Sequence, residues 1–124
     1  MISKKQRLKR ELDRLIQQIY VPLNPECLVC CNHTSCMHHY VPKAQSLYLR
    51  WRKENLIPLC QGCHFSHHSK GDPYIHQTIL KRKGFKWANE LQRDRRIMVN
   101  DTIGNLVEVK ERILGLGYKD GRYR

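Results

Sequence analysis

The opening segment of the chain has the periodicity of an amphipathic helix. Its apolar residues recur at intervals of three and four positions: Leu8, Leu12, Leu15, Ile16 and Ile19. This spacing places them on one stripe of an α-helix, and the other faces of the helix are basic. The sequence therefore predicts a basic amphipathic helix over residues 1–20, which Pro22 and Pro25 bring to an end.

The pattern between residues 27 and 63 changes to short apolar pieces. "CLVC", "MHHYVP", a stretch around "SLYLRWRKEN" and the apolar run "LIPLC" predict short extended segments and a loop. From Gln61 the pattern becomes helical and stays so to about Ser69, where "KGDP" stops it.

The remainder of the chain, residues 73–115, predicts helices. Asp72 and Pro73 suit the N-cap and first position of a helix over "YIHQTILKRKG", which Gly84 ends. A further helix is predicted over "KWANELQRDRRI". The segment "LVEVKERILG" then offers an apolar helical face that closes at Gly115 and Gly117, formed by Leu106, Val109, Ile113 and Leu114.

Basic residues dominate the charge balance. The 124 residues include 23 Lys and Arg against 11 Asp and Glu, a formal net charge of +12 at pH 7. This excess favours a polyanionic partner, nucleic acid first, over the alternative of a basic surface that only keeps the protein soluble. The sequence has no long apolar run and no apolar signal region after "MISKKQRLKR", so it predicts a soluble intracellular protein with no membrane partner. Its length suits one domain.

Six cysteines stand at positions 27, 30, 31, 36, 60 and 63. In a reducing cytosol such a set is expected to bind metal and not to form disulfides. Two Cys-x-x-Cys turns, separated by 29 residues, supply the four thiolates of a closed zinc site: Cys27 with Cys30 and Cys60 with Cys63. Such a site contributes about 10 to 16 kcal/mol in zinc-finger peptides, so we expect the metal-free chain to be largely unfolded. Cys31 is an alternative ligand to Cys30, and the role of Cys36 stays open.

Histidines follow the second cysteine pair at helical spacing. His64 and His68 are four positions apart, so their rings project from one face of the predicted helix and can bind one ion together. His67 lies about 100° around the helix and is the weaker candidate. Neighbours on an extended strand point to opposite sides, so the adjacent His38 and His39 need different roles. His38 can complete a three-histidine metal site, while His39 stays free to take a proton from water.

"HHYVP", then Asn55, then "LCQGCHFSHH" resembles the HNH, or ββα-metal, nucleases, in which two strands and a helix hold one metal ion. The steps from His39 to Asn55, from Asn55 to His64 and from His64 to His68 are 16, nine and four residues, similar to those of the nuclease colicins. The bracketing cysteine pairs resemble the zinc-stapled branch of the family. The resemblance implies an α+β fold in a single domain, residues 1–124. Its core, residues 27–69, would be a small ββα-metal unit stapled by a four-cysteine zinc site, with additional N- and C-terminal helices.

The resemblance also implies the roles of the site residues. His39 would be the general base, and Asn55 would brace the loop between the strands and hold the His39 backbone. His38, His64 and His68 would ligate a catalytic divalent ion, Mg²⁺, Mn²⁺, Ni²⁺ or Zn²⁺. Many members carry Asp where His38 stands, and a histidine there suggests tolerance of softer ions. The adjacent His67 leaves the third ligand open by one residue.

A looser similarity extends beyond this motif. The order "CLVC", "HHY", "QSLYLRWRKENLIPLCQGC" and "DPYIHQTILKRKG" is similar to that of the NinG, or Rap, recombination nucleases of lambdoid phages, apart from their longer cysteine-containing N-terminal region. Those enzymes act on branched DNA. The similarity implies a DNA endonuclease that leaves 5′-phosphate and 3′-hydroxyl ends, acting in the cytoplasm of a bacterial or phage-infected cell.

Clusters of basic residues are the candidate DNA contacts. Residues 1–20 carry a local charge of +4 and residues 79–96 one of +5. Side chains near the predicted site are expected to grip the DNA backbone with little reading of sequence: Arg50, Arg52 and Lys53 in the loop before Asn55, and Lys81, Arg82 and Lys83. Trp51 either stacks on an unpaired base or anchors the loop in the core.

Two other functions remain open at this stage. The chain can be a non-catalytic zinc-containing DNA-binding or adaptor protein, or a homing or restriction-type nuclease with real sequence specificity. The expected partner is duplex or branched DNA. A homodimer is possible, since the amphipathic first helix can provide a contact between two copies or cover its own core.

Overall fold

The computed structural model describes residues 1–119, and the side chains of residues 1–115. Within that range the chain forms six α-helices and one two-stranded antiparallel sheet, with the bounds α1 Lys4–Leu23, β1 Cys36–His39, α2 Leu47–Arg50, β2 Leu56–Leu59, α3 Gln61–Ser69, α4 Pro73–Lys83, α5 Phe85–Asp94 and α6 Ile103–Lys119. The protein is therefore a mixed α+β fold, mostly helical, as the sequence predicted. No helix within the described residues has both the length and the apolar character needed to cross a bilayer.

Helix α1 is capped at both ends by polar side chains. The Ser3 hydroxyl accepts from the backbone N–H of Gln6, whose side chain accepts from the N–H of Ser3. The prediction that Pro22 ends this helix is wrong, because Pro22 lies inside the last turn. At the C-terminal end of the helix, the Asn24 side-chain amide satisfies a terminal carbonyl by donating to that of Tyr20.

The apolar stripe of α1 is covered by the chain itself. Leu12, Ile16 and Ile19 are fully buried and belong to the same core cluster as Leu106 and Ile113 of α6. Of the two roles that the sequence left open for this stripe, a contact between copies or a cover for its own core, the structure shows the second.

The sheet is short and is tied to α1 through one side chain. Strands β1 and β2 pair antiparallel, with His38 opposite Ile57. Along the other edge of β1, the Gln17 amide donates to the Met37 carbonyl at 2.9 Å and accepts from the Met37 N–H at 2.8 Å. These two hydrogen bonds satisfy the backbone groups of Met37 at the edge of β1 that does not pair with β2. The backbone that carries His38 and His39 is therefore held on both sides.

The connection between the two strands is helical where the sequence predicted a loop. It consists of α2 between two 3₁₀ turns, Lys43–Gln45 and Lys53–Asn55. The Ser46 hydroxyl caps α2 by accepting from the N–H of Leu49.

The predicted bounds of α3 are confirmed, and so are the caps of α4: Asp72 accepts from the N–H of Tyr74, and Gly84 adopts φ +93° at the other end. Helix α6 runs on past Gly115, where the sequence predicted its end. An interior glycine costs a helix only about 1 kcal/mol, which the packing of α6 on α1 outweighs.

Candidate metal centres and active site

Four cysteines from two distant segments meet at the start of α3. The sulfur atoms of Cys27, Cys30, Cys60 and Cys63 all lie within 4.8 Å of one another. Cys30 Sγ and Cys60 Sγ are 3.5 Å apart, close to the edge of about 3.8 Å that a tetrahedron with 2.3 Å zinc–sulfur bonds requires. The Cys60 sulfur also accepts from the N–H of Cys63, so this pair forms the N-cap turn of α3. The cluster is consistent with a structural metal site, as the sequence predicted.

The other two cysteines lie outside this group of four. Cys31 is exposed and takes the left-handed conformation, φ 66°, directly after Cys30. Of these two adjacent cysteines, Cys30 places its sulfur in the cluster with Cys27, and Cys31 does not. Cys36 is half-buried at the start of β1, where burial raises the pKa of its thiol. Neither residue is placed to replace a member of the cluster.

The cluster favours at least one thiolate before any metal binds. Burial opposes ionisation of Cys27, but backbone N–H groups of Cys30, Cys60 and Val29 overcome it and lower the pKa of this thiol to about 7. A metal ligand must be deprotonated, so these amides prepare the site for a cation.

Three imidazoles form a second group on the other end of α3. One ring nitrogen from each of His38, His64 and His68 lies within 4.8 Å of the others. His38 projects from β1, while His64 and His68 are one helical turn apart on α3. The ring centroids of His64 and His68 are 4.5 Å apart, and each lies close to His38, at 5.6 and 4.9 Å. Of the two neighbours that the sequence left open, His68 joins this group; His67 lies beside it, with its ring 4.9 Å from His38.

The donor set of this second group fits a divalent cation. His38 Nδ1 and His68 Nε2 are 3.2 Å apart, near the separation of about 3.4 Å that two ligands 2.0–2.1 Å from one tetrahedral ion would have. Burial, helped by the surrounding imidazoles, lowers the pKa of His38 to about 3. His38 is therefore neutral at pH 7 and has a lone pair to offer.

His39 points away from this group and is held by a backbone carbonyl. Its Nε2 lies 2.8 Å from the carbonyl oxygen of Arg50. A carbonyl only accepts, so Nε2 carries the hydrogen, and in the neutral ring Nδ1 is the nitrogen with a free lone pair. Burial lowers the pKa of His39, against the opposing effect of this hydrogen bond, so the ring stays neutral at pH 7. The arrangement suits a base.

His39 and the three histidines of the second group line one cleft. The cleft has a volume of about 430 Å³, and its lining includes Gln17, Tyr40, Lys43 and the side chains of His38, His39, His64, His67 and His68. The proposed base and the candidate ligands therefore face the same space, although His38 and His39 diverge from adjacent positions. A cleft of this size admits part of a substrate and not only water.

Asn55 is fully buried and ties the two ends of the interstrand connection together. Its Oδ1 accepts from the N–H of Val41 at 2.7 Å, and its Nδ2 donates to the Val41 carbonyl at 3.0 Å and to that of Leu49 at 3.4 Å. Its own carbonyl accepts from the N–H of Tyr40, the residue after His39. The side chain thus holds the backbone on which His39 sits.

Of the two roles left open for Trp51, the structure shows the core anchor, and it pairs Arg50 with Asp13. Trp51 is 2% exposed, so no base can stack on its ring, and it is the core anchor of the loop. Its Nε1 donates to Asp13 at 2.8 Å, while Arg50 grips the same carboxylate with Nε at 3.1 Å and Nη2 at 2.7 Å. Partial burial opposes ionisation of Asp13, but the Arg50 guanidinium outweighs it and holds the pKa of this carboxyl below its usual value. Arg50 is engaged inside the protein and not free for DNA.

The remaining predicted DNA contacts fall in two places. Lys53 and Lys83 are exposed and share a cleft with the half-buried Arg52. Lys81 and Arg82 lie on another side of α4, where they line a separate shallow cleft.

Sequence reasoning missed two residues that position the site, Asp13 and Gln17. The signal for Asp13 was weak, since it is one of two acidic residues, with Glu11, that flank Leu12 of the buried stripe on a mainly basic helix. Gln17 follows Ile16 in the same way, but a glutamine beside an apolar stripe is too common to indicate a role.

Comparisons with models of protein families, with curated proteins and with solved structures find no match to this chain. A function therefore has to be argued from the two clusters and the cleft that they flank.

Proposed function

We propose that this protein is a metal-dependent HNH endonuclease that hydrolyses DNA phosphodiester bonds, acting on branched or recombination intermediates with little sequence specificity. One observation carries the proposal. One ring nitrogen from each of His38, His64 and His68 lies within 4.8 Å of the others, and the neighbouring His39 keeps a lone pair on Nδ1 because its Nε2 donates to the Arg50 carbonyl. Strand β1 and helix α3 supply these residues, and β2 pairs with β1 and leads into α3. Two strands followed by a helix are the elements of a ββα-metal core.

The chemistry divides between the two kinds of histidine. His39 accepts the proton of the attacking water at Nδ1, and the Arg50 carbonyl stabilises the imidazolium that forms. His38, His64 and His68 would hold the divalent ion, which when bound acts as a Lewis acid for the charge that builds on the phosphodiester. As the water oxygen bonds to phosphorus, the bond from phosphorus to the 3′ oxygen breaks and that oxygen takes a proton from solvent, which leaves 5′-phosphate and 3′-hydroxyl ends.

The four-cysteine cluster lies at the start of the same helix and supports this arrangement. Cys60 and Cys63 begin α3, and His64 follows at once, so a zinc ion there fixes the helix that presents two of the three imidazoles. The zinc is structural, since four thiolates leave no open position. The structural ion and the catalytic ion would then be separate, and both would bind to residues at or within α3.

The substrate preference is argued from what surrounds the cleft. A chain of net charge +12 attracts the DNA backbone whatever its sequence. Exposed lysines, Lys43 in the lining of this cleft and Lys53 and Lys83 in that of a separate one, suit phosphate contacts and not base reading. Such contacts favour recognition by DNA shape, which agrees with the branched substrates of the phage nucleases that the sequence resembles.

The proposal is tested by incubating the purified protein with linear duplex, single-stranded, looped and four-way DNA, with Mg²⁺, Mn²⁺, Ni²⁺, Zn²⁺ or no added ion. We expect metal-dependent cleavage, fastest on branched DNA. His39→Ala should abolish cleavage while zinc content, melting temperature and DNA affinity stay near those of the wild type. His33→Ala is the matched control, because His33 is exposed and does not line the cleft. Binding without cleavage under every ion would instead favour the non-catalytic zinc adaptor.

A further inference from the structure

A second cleft, of about 420 Å³, is lined largely by basic side chains and contains none of the histidines. It lies where the interstrand connection meets α4, α5 and α6, and its lining includes Arg52, Lys53, Glu54, Lys83, Trp87 and Arg112. Four cations thus face a single carboxylate. Arg112 was not among the basic residues that the sequence singled out, because it lies 60 positions from Arg52.

The two arginines are half-buried, and one is fixed in place. The Arg52 guanidinium lies over the ring of Tyr48, 4.0 Å from its centroid, and its buried Nε has no hydrogen-bond partner in the structure as described. Arg112 comes from α6 on the facing side. Both guanidinium-bearing side chains line this cleft. Burial lowers the pKa of Arg112, and the positive charge of Arg52 adds to the effect, whereas the Glu54 carboxylate opposes it.

Neither arginine of this pair forms a close ion pair among the described side chains, whereas Arg50 is paired with Asp13 and Lys110 with Glu11. Glu54 acts on Arg112 only from a greater distance. Two like charges held together out of water cost free energy unless an anion completes them. An unpaired cluster of this kind in a cleft is typical of a binding site and not of a structural contact.

We propose that Arg52 and Arg112 together bind one phosphate of a nucleic-acid backbone, with Lys53 and Lys83 contacting the phosphates on either side. Guanidinium forks match the oxygens of a phosphate, and the stack on Tyr48 holds the fork of Arg52 in advance. The exposed lysines extend the positive surface beyond a single ion, which favours a phosphodiester chain over free phosphate. The inference takes DNA as the partner from the proposed function, but it does not depend on cleavage.

The test measures binding in a protein that cannot cut. In a His39→Ala background, the affinity for fluorescent duplex DNA is followed by anisotropy between 50 and 300 mM salt, without added divalent ion. Arg112→Gln should weaken binding about tenfold and make the slope of log affinity against log salt shallower by about one. Lys110→Gln is the matched control, since it removes the same charge from the same helix at a side chain already paired with Glu11; its affinity should stay within about twofold of the parent.

Melting temperature separates a binding role from a structural one. Arg112→Gln removes a like-charge contact, so it should melt at or above the parent temperature while it binds less tightly. Equal losses of affinity in Arg112→Gln and Lys110→Gln, or an unchanged salt slope, would overturn the proposal. So would a phosphate-induced rise in melting temperature that Arg112→Gln abolishes while DNA affinity stays unchanged, because the site would then belong to free phosphate.

The outcome is independent of the nuclease assignment. Weaker DNA binding in Arg112→Gln, together with a wild-type protein that cuts no substrate under any ion, would support this site and overturn the nuclease proposal. Cleavage by the wild type, together with a DNA affinity that Arg112→Gln leaves unchanged, would support the nuclease proposal and overturn this site.

Discussion

Replacing Asn55 with alanine tests how the site is held in place. The change removes the partner of both backbone groups of Val41, whose hydrogen bonds to Asn55 are 2.7 and 3.0 Å long and fully buried, and a longer contact with Leu49. Each buried group left unsatisfied costs about 1 to 3 kcal/mol, so the free energy of unfolding should fall by about 3 kcal/mol. That is a large share of the about 5 to 15 kcal/mol that stabilises a typical domain.

The loss is measured by urea unfolding of the zinc-loaded protein at pH 7.5. Asn24→Ala is the control, because Asn24 makes one side-chain hydrogen bond at a half-buried position and should cost only about 1 kcal/mol. Asn55→Asp keeps the shape but turns an acceptor toward two carbonyls, so it should destabilise as Asn55→Ala does and exclude a simple cavity effect. Stability of Asn55→Ala within about 0.5 kcal/mol of the wild type would refute the reasoning.

Three further outcomes follow from the two clusters and from Asp13. A strong chelator should abolish the far-ultraviolet circular dichroism signal and zinc should restore it; Cys60→Ser should behave as the chelated protein, and the exposed Cys31→Ser as the wild type. Cleavage should be steady above about pH 6.5 and fall only in more acidic solution, because burial lowers the pKa of His39 below the ordinary value of about 6.5; a rate that already falls between pH 8 and pH 7 would contradict this. Asp13→Asn should lower the free energy of unfolding by about 1 to 3 kcal/mol in urea, since Arg50 and Trp51 lose a shared charged acceptor; an unchanged midpoint would count against that pairing.

Local chemistry made much of this fold predictable. The helix caps at Asp72 and Gly84 and the apolar stripe of α1 are signals that a few neighbouring residues carry. The residues of the two candidate metal sites could be predicted from the sequence for the same reason. The Cys-x-x-Cys turns and the i, i+4 spacing of His64 and His68 fix ligand geometry within one turn of chain.

The features that the sequence did not reveal depend on contacts between distant positions. "SLYLRW" carries no periodicity that distinguishes a turn of helix from an extended loop, and α2 forms because Leu49 is buried and Ser46 caps it. The environment of Trp51 is decided by Asp13, 38 residues earlier. Arg112 gains a role only when α6 packs beside the interstrand connection, which no local pattern of the sequence anticipates.

The proposed base is positioned from outside its own strand, and this explains how two adjacent histidines can serve different purposes. His38 faces α3 and His39 faces Arg50, so any slip of β1 would misdirect both rings at once. Gln17 clamps the strand at Met37, and the Arg50 side chain, held by Asp13, fixes the carbonyl that sets the His39 tautomer. Both clamps come from α1, within four residues of each other. The amphipathic first helix therefore does more than cover the core: its buried stripe stabilises the fold, and the polar residues beside that stripe set the geometry on which the proposed proton transfer depends.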